Sequence, residues 1–443
     1  MDVLANRNHF SNTNATDGSS SNTGLPSHDT ILSLSFNQDC TSLAMGTQNS
    51  YYLFTIIQEN QINDTNNCEI QQYTNMSQLP YDSVHIIERL YSSSLLALVS
   101  KQSPRKLKLC HFKNGTEICS YTFANNILAV KLNRWKLVVC LEESIYIHNM
   151  RDMKVIHTIR DVSSNPDGLC ALSSNENHPF LAYPGSSITG EIQLFDTTNL
   201  KPGIIISAHE SPLAAMAFDT TGTRIATASN KGTVIRIHNI IDGSRLFEFR
   251  RGVRRVATIY SLAFSSDSMF LAASSNTGTI HIFRLIDQKE KSTQETSSWM
   301  SSFSRMLGDV AYYLPKQTSE VLTQDRAFAT VHLSSGGTKS TIALTNLNNT
   351  LKLFVADFDG IVYVYEVNVT EGGECRQVNQ FLLQMSCNNF NNDSTRKYPP
   401  NLLRNENNSV PLTNTTHLVD QTYDTAIDEQ DKFPLPSIQG HDE

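Results

Sequence analysis

The stretch LFEFRRGVRR at residues 246–255 concentrates four arginines in a chain whose formal net charge is −8. Apolar and acidic residues alternate ahead of Arg250 and Arg251, which predicts a β-strand. Successive strand residues point to opposite faces, so the two arginines are predicted to serve two different pockets. A guanidinium group stays charged and can contact two phosphate oxygens at once, which indicates phosphate binding. Gly252 then allows the backbone to turn or a ligand to approach closely.

Two similar segments flank this pair, residues 227–236 (TASNKGTVIR) and residues 274–282 (SSNTGTIHI). They align with one residue of slip, which makes Arg236 correspond to His281. Several hydroxyl groups with one cationic side chain suit a phosphorylated polyol. The candidate donors are Thr227, Ser229, Lys231, Gly232, Thr233 and Arg236 in the first segment, and Ser274, Ser275, Thr277, Gly278, Thr279 and His281 in the second.

Structural interpretations of the same residues remain open. Serine, threonine and glycine after an apolar strand are ordinary turn residues, whose hydroxyls often bond to the backbone. His281 alone also fits a hydrogen-bonded histidine at the rim of a fold. Adjacent arginines on a strand can prevent edge-to-edge pairing of sheets. The coincidence of all three features around one arginine pair favours the binding interpretation.

The composition bounds the class of protein. The 443 residues are 39% hydrophobic and 18% charged, with many Ser, Thr and Asn, which favours a β-rich domain with flexible appendages. Eight cysteines without a CxxC pair indicate buried reduced thiols and a cytosolic protein. No signal-like segment opens the chain, and no stretch reaches the roughly 18 apolar residues of a membrane span. Any membrane association is therefore predicted to be peripheral.

A repeated pattern organises the middle of the chain. Residues 35–54, 217–238 and 263–283 share an aromatic residue, a polar turn, an apolar-Ala strand and an alternating strand. Weaker copies bring the number of units to about seven, so we predict an all-β, seven-bladed β-propeller over residues 29–380. A jelly roll or a double sandwich is the alternative. The polar segments 1–28 and 381–443 are predicted to be disordered tails.

One long insertion breaks the pattern in the predicted sixth blade. Residues 286–324 separate two strands of one blade, and such a loop is usually functional or disordered. Apolar residues from Trp299 to Leu314 fall at helical spacing, which predicts an amphipathic helix. A helix packed on the side of the propeller is the alternative.

The sequence around the arginine pair resembles the PROPPIN family of polyphosphoinositide-binding β-propellers. The similar text is LFEFRRG with AHESPLAAMAFDTTGTRIATASNKGTVIRIH before it and SLAFSSDSMFLAASSNTGTIHIF after it. The resemblance extends over nearly the whole propeller, for example through LAVKLNRWKLVVCLEESIYIHNMRDMKVIHTIRD, and is strongest to the autophagy-linked branch.

The resemblance implies two sites for phosphatidylinositol 3-phosphate and the 3,5-bisphosphate. The first site would comprise His209, Ser229, Gly232, Thr233, Arg236 and Arg250. The second site would comprise Arg251, Ser275, Thr279 and His281, with Gly252, Ser274 and Thr277 as neighbours. The insertion loop would enter the bilayer interface through Trp299, Met300, Phe303, Met306, Leu307 and Val310.

The resemblance also implies a protein partner, a coiled-coil subunit of the autophagy ubiquitin-like conjugation machinery. Arg134 and Lys154 could meet acidic residues on such a helix, although solvated surface cations are the simpler interpretation. The implied location is the cytoplasm, peripherally on preautophagosomal and endosomal membranes.

Three classes of function can be compared. A lipid-binding effector that recruits autophagy machinery is favoured, and a propeller scaffold that binds only proteins is the alternative. Enzyme motifs such as GxSxG, HExxH and a P-loop are missing from the sequence, as is Cys/His spacing suited to zinc, so no catalytic residue, metal or cofactor is predicted. The patch RRGVRR is isolated and lacks stacking aromatics, which argues against nucleic acid.

Overall fold

The computed structural model describes residues 29–58, 68–73, 83–251, 256–285, 326–334 and 336–383. All regular secondary structure in these ranges is β-strand, arranged in seven sheets that are antiparallel except for one short parallel pair in blade 6. Gly252, the apolar residues proposed for the insertion loop, the predicted N-terminal tail and residues 384–443 lie outside the described residues.

Each sheet is one blade, and its first strand lies nearest the centre. The first four blades are β1 (Ile31–Phe36), β2 (Ser42–Thr47), β3 (Tyr51–Gln58) and β4 (Cys68–Gln72); β5 (Val84–Arg89), β6 (Leu95–Ser100), β7 (Lys106–His111) and β8 (Thr116–Thr122); β9 (Ala129–Leu132), β10 (Lys136–Cys140), β11 (Ile145–Asn149) and β12 (Val155–Ile159); and β13 (Ala171–Leu172), β14 (Phe180–Pro184), β15 (Gly190–Asp196) and β16 (Lys201–His209).

The last three blades carry the arginine pair and the long insertion. They are β17 (Leu213–Phe218), β18 (Arg224–Ser229), β19 (Val234–Asn239) and β20 (Arg245–Arg250); β21 (Ile259–Phe264), β22 (Phe270–Ser275), β23 (Thr279–Arg284) and β24 (Ala329–His332); and β25 (Ser340–Leu347), β26 (Thr350–Asp357), β27 (Ile361–Val367) and β29 (Arg376–Leu382). The short strand β28 (Gly373–Glu374) pairs in parallel with β24 on the outer edge of blade 6.

The seven-residue spacing in the repeats is a cross-strand pair. Phe218 pairs with Ile225 and Phe264 pairs with Leu271, across the turn that joins the first two strands of each blade. The alanine that follows the aliphatic residue is fully buried in both blades, because a small side chain lets neighbouring sheets pack closely. The repeat therefore encodes the innermost hairpin of each blade.

The ring closes without exchanging a strand between its ends. The first strands of successive blades contact one another all the way round, including β25 against β1. Side chains of blades 1 and 7, among them Leu34, Met45 and Phe354, form one buried cluster across the closure. The seven-bladed propeller is confirmed, and the jelly roll and double sandwich are excluded.

Two predicted boundaries can be compared with the strands. Strand β24 pairs with β23, so the long insertion does separate the third and fourth strands of blade 6. The last strand continues to Leu382, and Leu383 is buried, which places the end of the propeller slightly beyond the predicted limit at residue 380.

Candidate anion-binding sites

The arginine pair lies where the outermost strand of blade 5 ends. Strands within a blade alternate in direction, so this end of β20 lies beside the turn between β18 and β19, and Val234 pairs with Arg250. In blade 6 the corresponding turn joins β22 and β23. The two turns and the strand end therefore lie on one side of the ring, as the predicted sites require.

Arg250 and Arg251 face different blades, as predicted. Phe249 stacks on Phe283 of blade 6, so Glu248 and Arg250, one residue away on either side, face blade 4. Arg251 turns back toward blade 6, where its Nη1 donates a hydrogen bond of 2.7 Å to the Oγ1 of Thr277. The first site is therefore a cleft between blades 4 and 5, and the second is a cleft between blades 5 and 6.

Arg251 is held against the hydroxyls of the second site. Its Nη1 also donates to the Oγ of Ser275 at 3.3 Å, and its Nε donates to the carbonyl oxygen of Gly232 at 3.1 Å. The hydroxyls of Ser275 and Thr277 lie 2.9 Å apart. The guanidinium thus lies among hydroxyls that can donate to the same phosphate oxygens, which is the arrangement that the sequence predicted.

His281 faces Arg251 from the third strand of blade 6. Its cross-strand partner is Ala273, just as Arg236 pairs with Thr227, so the predicted equivalence of His281 and Arg236 is correct. Burial, followed by the charge of Arg251, lowers the pKa of His281 to about 4. The ring is neutral at physiological pH, and its buried Nδ1 has no hydrogen-bond partner within the described residues.

One residue of the second site was missed. His332, at the end of β24, pairs with Thr279, and its Nδ1 lies 3.4 Å from the Oγ1 of that threonine. It is separated from Thr279 by 53 positions, most of them the insertion, so no local pattern connects the two. His332 could have been predicted only from the expectation that the strand after the insertion completes blade 6 beside β23.

Ser274 does not belong with the other residues of the second site. Its side chain follows Ala273 and precedes Ser275, both of which face blade 5, so Ser274 faces blade 7. It is fully buried, and its Oγ has no partner in the described part of the chain. The prediction that Ser274 neighbours the anion is therefore wrong, because adjacent strand residues cannot line the same cleft.

The first site brings His209 of blade 4 against blade 5. The Nε2 of His209 lies 3.0 Å from the Oγ1 of Thr227, which is fully buried. Burial, and then the charge of Arg236, lowers the pKa of His209 to about 4. Thr227 thus orients His209, and Ser229, on the same face of the strand, lies beside them at the end of β18.

Arg236 is already paired in the first site. Its Nε donates to the Oε2 of Glu248 at 2.9 Å, and its Nη1 donates to the carbonyl oxygen of Ala208 at 2.6 Å. Arg236 was predicted as an anion ligand, and the structure adds a carboxylate that already pairs with it. Glu248 was not predicted as a residue of this site, although a strand residue two positions before Arg250 must share its face.

Gly232 and Thr233 form the turn that separates the two sites. Gly232 has a positive φ of 57°, and a Cβ there would collide with the carbonyl oxygen of Ala257. The carbonyl oxygen of Thr233 accepts a hydrogen bond of 3.0 Å from the backbone N–H of Arg251. The turn therefore fixes the backbone of Arg251, which follows the last residue of the first cleft and belongs to the second.

Two buried histidines and one partly buried histidine near these clefts predict a loss of stability in mild acid. The pKa of His209, His238 and His281 is lowered to about 4, mainly by burial. Their ordinary pKa is 6.5, so between pH 6.5 and 4 the unfolded chain binds protons that the folded chain does not. Their contribution to stability is complete above pH 6.5 and decreases as the pH falls. We expect the thermal midpoint to fall between pH 7 and pH 5 when measured by circular dichroism.

The His238→Gln variant provides the matched control for that decrease. His238 is 4% exposed and faces blade 4, and glutamine cannot take up a proton there. The variant is expected to show a smaller change of thermal midpoint over the same pH range. An unchanged midpoint of the natural chain from pH 7 to pH 5 would contradict this prediction.

Arg134 and Lys154 lie on blade 3. Their turns, β9–β10 and β11–β12, are on the face of the ring opposite to the end of β20 that carries the arginine pair. Both are exposed, and their turns adjoin, since the backbone N–H of Met150 donates to the carbonyl oxygen of Trp135. The guanidinium of Arg134 lies 4.3 Å from the ring centroid of Tyr91, which orients it. The Nζ of Lys154 lies 3.9 Å from the Oδ2 of Asp152, a distant contact between two largely exposed side chains.

The described ranges contain no cluster of three or more His, Cys, Asp or Glu side chains placed to hold a metal ion. Within the same ranges no helix is long and apolar enough to cross a bilayer.

Comparisons with known proteins identify relatives of the whole propeller. The family model described as PROPPIN matches residues 30–383. "WD repeat domain phosphoinositide-interacting protein 2" of Gallus gallus is 48% identical over 397 residues, which cover 90% of this chain and 85% of that protein. "Autophagy-related protein 18" of Caenorhabditis elegans is 38% identical over 369 residues, which cover 82% of this chain and 88% of that protein.

Solved structures share the fold at lower identity. Kluyveromyces lactis Hsv2 with a complete loop 6CD superimposes with a TM-score of 0.62 at 19% identity, covering 80% of this chain and 100% of that chain. The structure titled "Complex of KlAtg21 with coiled-coil of AgAtg16" has a TM-score of 0.59 at 24% identity, with the same coverage of this chain and of that chain. These two structures support the propeller fold.

Proposed function

Because this chain belongs to the PROPPIN family, we propose that it is a non-enzymatic phosphoinositide effector of autophagy. It binds phosphatidylinositol 3-phosphate and phosphatidylinositol 3,5-bisphosphate through the two clefts that flank Arg250 and Arg251. It attaches peripherally to preautophagosomal and endosomal membranes from the cytoplasm. Its relatives named as phosphoinositide-interacting and autophagy-related proteins support this assignment.

One observation carries the proposal. Two adjacent guanidinium groups enter two separate clefts, and each cleft contains hydroxyls and a neutral histidine, buried in the first and partly buried in the second. A phosphate monoester presents three strong acceptor oxygens and a charge of about −1.5 to −2 at neutral pH, which matches one arginine with several donors. In the described part of the chain, the buried Nε of Arg250 and Nδ1 of His281 have no hydrogen-bond partner, and such a ligand could satisfy both.

Two sites on one surface could attach the protein to a membrane even if each site alone has low affinity for its lipid headgroup. When one headgroup is bound, the second lipid is present at high effective concentration, and avidity can exceed either single affinity by about 100-fold or more. The clefts lie between blades 4 and 5 and between blades 5 and 6, and the described ends of the insertion belong to blade 6. Docking of this edge of the ring would let both clefts and the insertion reach one bilayer.

A flotation experiment tests the proposal. The purified chain is mixed with phosphatidylcholine vesicles that contain phosphatidylinositol 3-phosphate, the 3,5-bisphosphate or phosphatidylserine at equal total charge. We expect it to float with both phosphoinositides and to remain in solution with phosphatidylserine. If it floats with none of the three, the protein-only scaffold is favoured and the lipid assignment fails.

The insertion is proposed to add apolar contact with the bilayer interface. This rests on the helical spacing of its apolar residues and on the gain from burying them at the headgroup boundary. We expect Trp299→Ser with Phe303→Ser to weaken flotation while leaving affinity for soluble inositol 1,3-bisphosphate unchanged. The matched control is Ser301→Ala with Ser302→Ala in the same segment. An equal loss of headgroup affinity would show that the segment supports the clefts instead.

Blade 3 is proposed to bind a coiled-coil subunit of the autophagy conjugation machinery. A structural relative, KlAtg21, was solved in complex with the coiled coil of AgAtg16, and Arg134 and Lys154 present two exposed cations on adjoining turns. We expect Arg134→Glu with Lys154→Glu to lower affinity for an acidic coiled-coil peptide by about tenfold, because like charges would then face each other. The measurement is calorimetric titration with that peptide.

The control for the coiled-coil prediction reverses two exposed cations elsewhere. Lys201→Glu with Arg376→Glu makes the same change of net charge on blades 4 and 7. This variant should bind the peptide normally, and both variants should still float with phosphoinositide vesicles. Equal losses in the two variants would reduce the effect to general repulsion and would remove blade 3 as the docking surface.

A further inference from the structure

Glu248 forms ion pairs with Arg236, a cationic residue of the first cleft, and with Arg245. Its Oε2 accepts one hydrogen bond from Arg236 at 2.9 Å and another from Arg245 at 2.6 Å. Glu248 and Arg236 are about equally exposed, 21% and 24%. A solvated phosphate can therefore reach the same guanidinium that the carboxylate already occupies.

The charges around Glu248 favour its ionised form. Burial raises its pKa, but the hydrogen bond and charge of Arg236, with the charges of Arg245 and Arg250, outweigh burial and hold the pKa below its ordinary value. Arg250 is the arginine proposed to bind phosphate in this cleft. The carboxylate that neutralises Arg236 therefore also reduces the positive potential at Arg250.

The second site has no carboxylate at the corresponding position. Glu248 is the cross-strand partner of Arg236, and the equivalent partner of His281 is Thr330. The first site thus combines an arginine with a glutamate where the second combines a neutral histidine with a threonine. The two clefts have the same strand pairing, but this pair of positions holds two opposite charges in the first cleft and no charge in the second.

We propose that Glu248 is an affinity-setting residue of the first site, an internal counter-ion that competes with phosphate for Arg236. Because of it, the first site binds a phosphate monoester more weakly than it would without this carboxylate. Stable attachment then requires both clefts to be occupied, so binding depends steeply on the density of the lipid. This inference rests on the proposed function, since it assumes that the first site binds phosphoinositide headgroups.

The competing structural role is that Glu248 positions Arg236 for the ligand. Arg236 has a second anchor, its hydrogen bond to the carbonyl oxygen of Ala208, which a change at Glu248 leaves in place. Neutralising Glu248 should therefore release the guanidinium toward the ligand without detaching the side chain. The two roles predict opposite signs for the change in affinity, which makes them separable.

The test isolates the first site before changing its counter-ion. Arg251→Thr removes the main cation of the second site, and Glu248→Gln is then added to that background. We expect affinity for inositol 1,3-bisphosphate, measured by calorimetry, to rise by about fivefold, the order expected of a partly exposed ion pair. The same substitution added to Arg250→Thr should change affinity little, because the first site then lacks its proposed phosphate ligand.

Glu366 in blade 7 provides the matched control. It joins Lys352 at 3.4 Å and Arg376 at 3.3 Å between the last strands of its blade, so Glu366→Gln makes the same charge change in a similar ion pair. This variant should leave headgroup affinity unchanged. The same proteins are assayed on vesicles with increasing phosphatidylinositol 3-phosphate, where Glu248→Gln should make binding less steep.

The outcomes separate this inference from the function on which it rests. Weaker headgroup binding by the Glu248→Gln variant would assign Glu248 to positioning Arg236 and overturn the proposal. An equal gain in Glu366→Gln would also overturn it, because net charge alone would then explain the effect. If the unchanged protein binds neither the headgroup nor the vesicles, the proposed function fails, whatever Glu248 does.

Discussion

Replacing Arg250 and Arg251 together with threonine is expected to lower affinity for phosphatidylinositol 3-phosphate vesicles by about 100-fold or more. Each arginine enters a different cleft, so the double change removes the main phosphate ligand from both. Loss of both sites also removes the avidity that links them. Flotation across a range of lipid densities measures the effect, and the variant should remain in the soluble fraction throughout.

The control for the double variant must make the same change in net charge at positions away from the clefts. Arg105→Thr with Arg376→Thr removes two exposed arginines from blades 2 and 7 and should float like the natural protein. Arg251 also bonds to the carbonyl oxygen of Gly232, so the thermal midpoint of each variant is measured to establish that it remains folded. Equal flotation of a folded double variant and the natural protein would remove the lipid-binding proposal.

A single methyl group at position 232 is expected to destabilise the propeller and to weaken both clefts. Gly232 has a left-handed φ, and a Cβ would strike the carbonyl oxygen of Ala257. The sum of backbone strain and steric displacement for Gly232→Ala is about 2–4 kcal/mol of unfolding free energy. Chemical denaturation measures that loss. Vesicle binding should fall as well, because the carbonyl oxygen of Gly232 positions Arg251.

Gly243→Ala separates the strain of the backbone from the collision. Gly243 has a similar φ of 72°, but the nearest atom to its Cβ would be the end of the Ile204 side chain at 3.4 Å. This control should lose about 1 kcal/mol of stability and retain normal flotation. Equal costs at the two positions would mean that Ala257 can move away freely and that the turn does not hold the site.

Much of the fold could be predicted from the sequence because it follows from local geometry. The seven-residue spacing of Phe218 and Ile225 is a hairpin register, and it is set by the length of the turn between two strands. The division of Arg250 and Arg251 between two clefts follows from strand alternation alone. Both predictions depended only on residues that are close in the sequence.

The contents of each cleft were less predictable. Ser274 and Ser275 look equivalent in the sequence, yet only Ser275 contacts Arg251, because the partner blade lies on one side of the strand. His332 joins Thr279 only because β24 completes the blade after a long insertion. Position in the ring, and not residue type, decided which hydroxyls and histidines accompany each arginine.

The sequence by itself determined the blade repeat, the strand that carries the arginine pair and the opposite directions of the two guanidinium groups, because these depend on short-range periodicity. Only the tertiary structure decided that Glu248 neutralises Arg236 while the corresponding position in the second site is Thr330. Cross-strand register and the packing of neighbouring blades bring these residues together. The charge of each cleft is therefore a property of the closed ring.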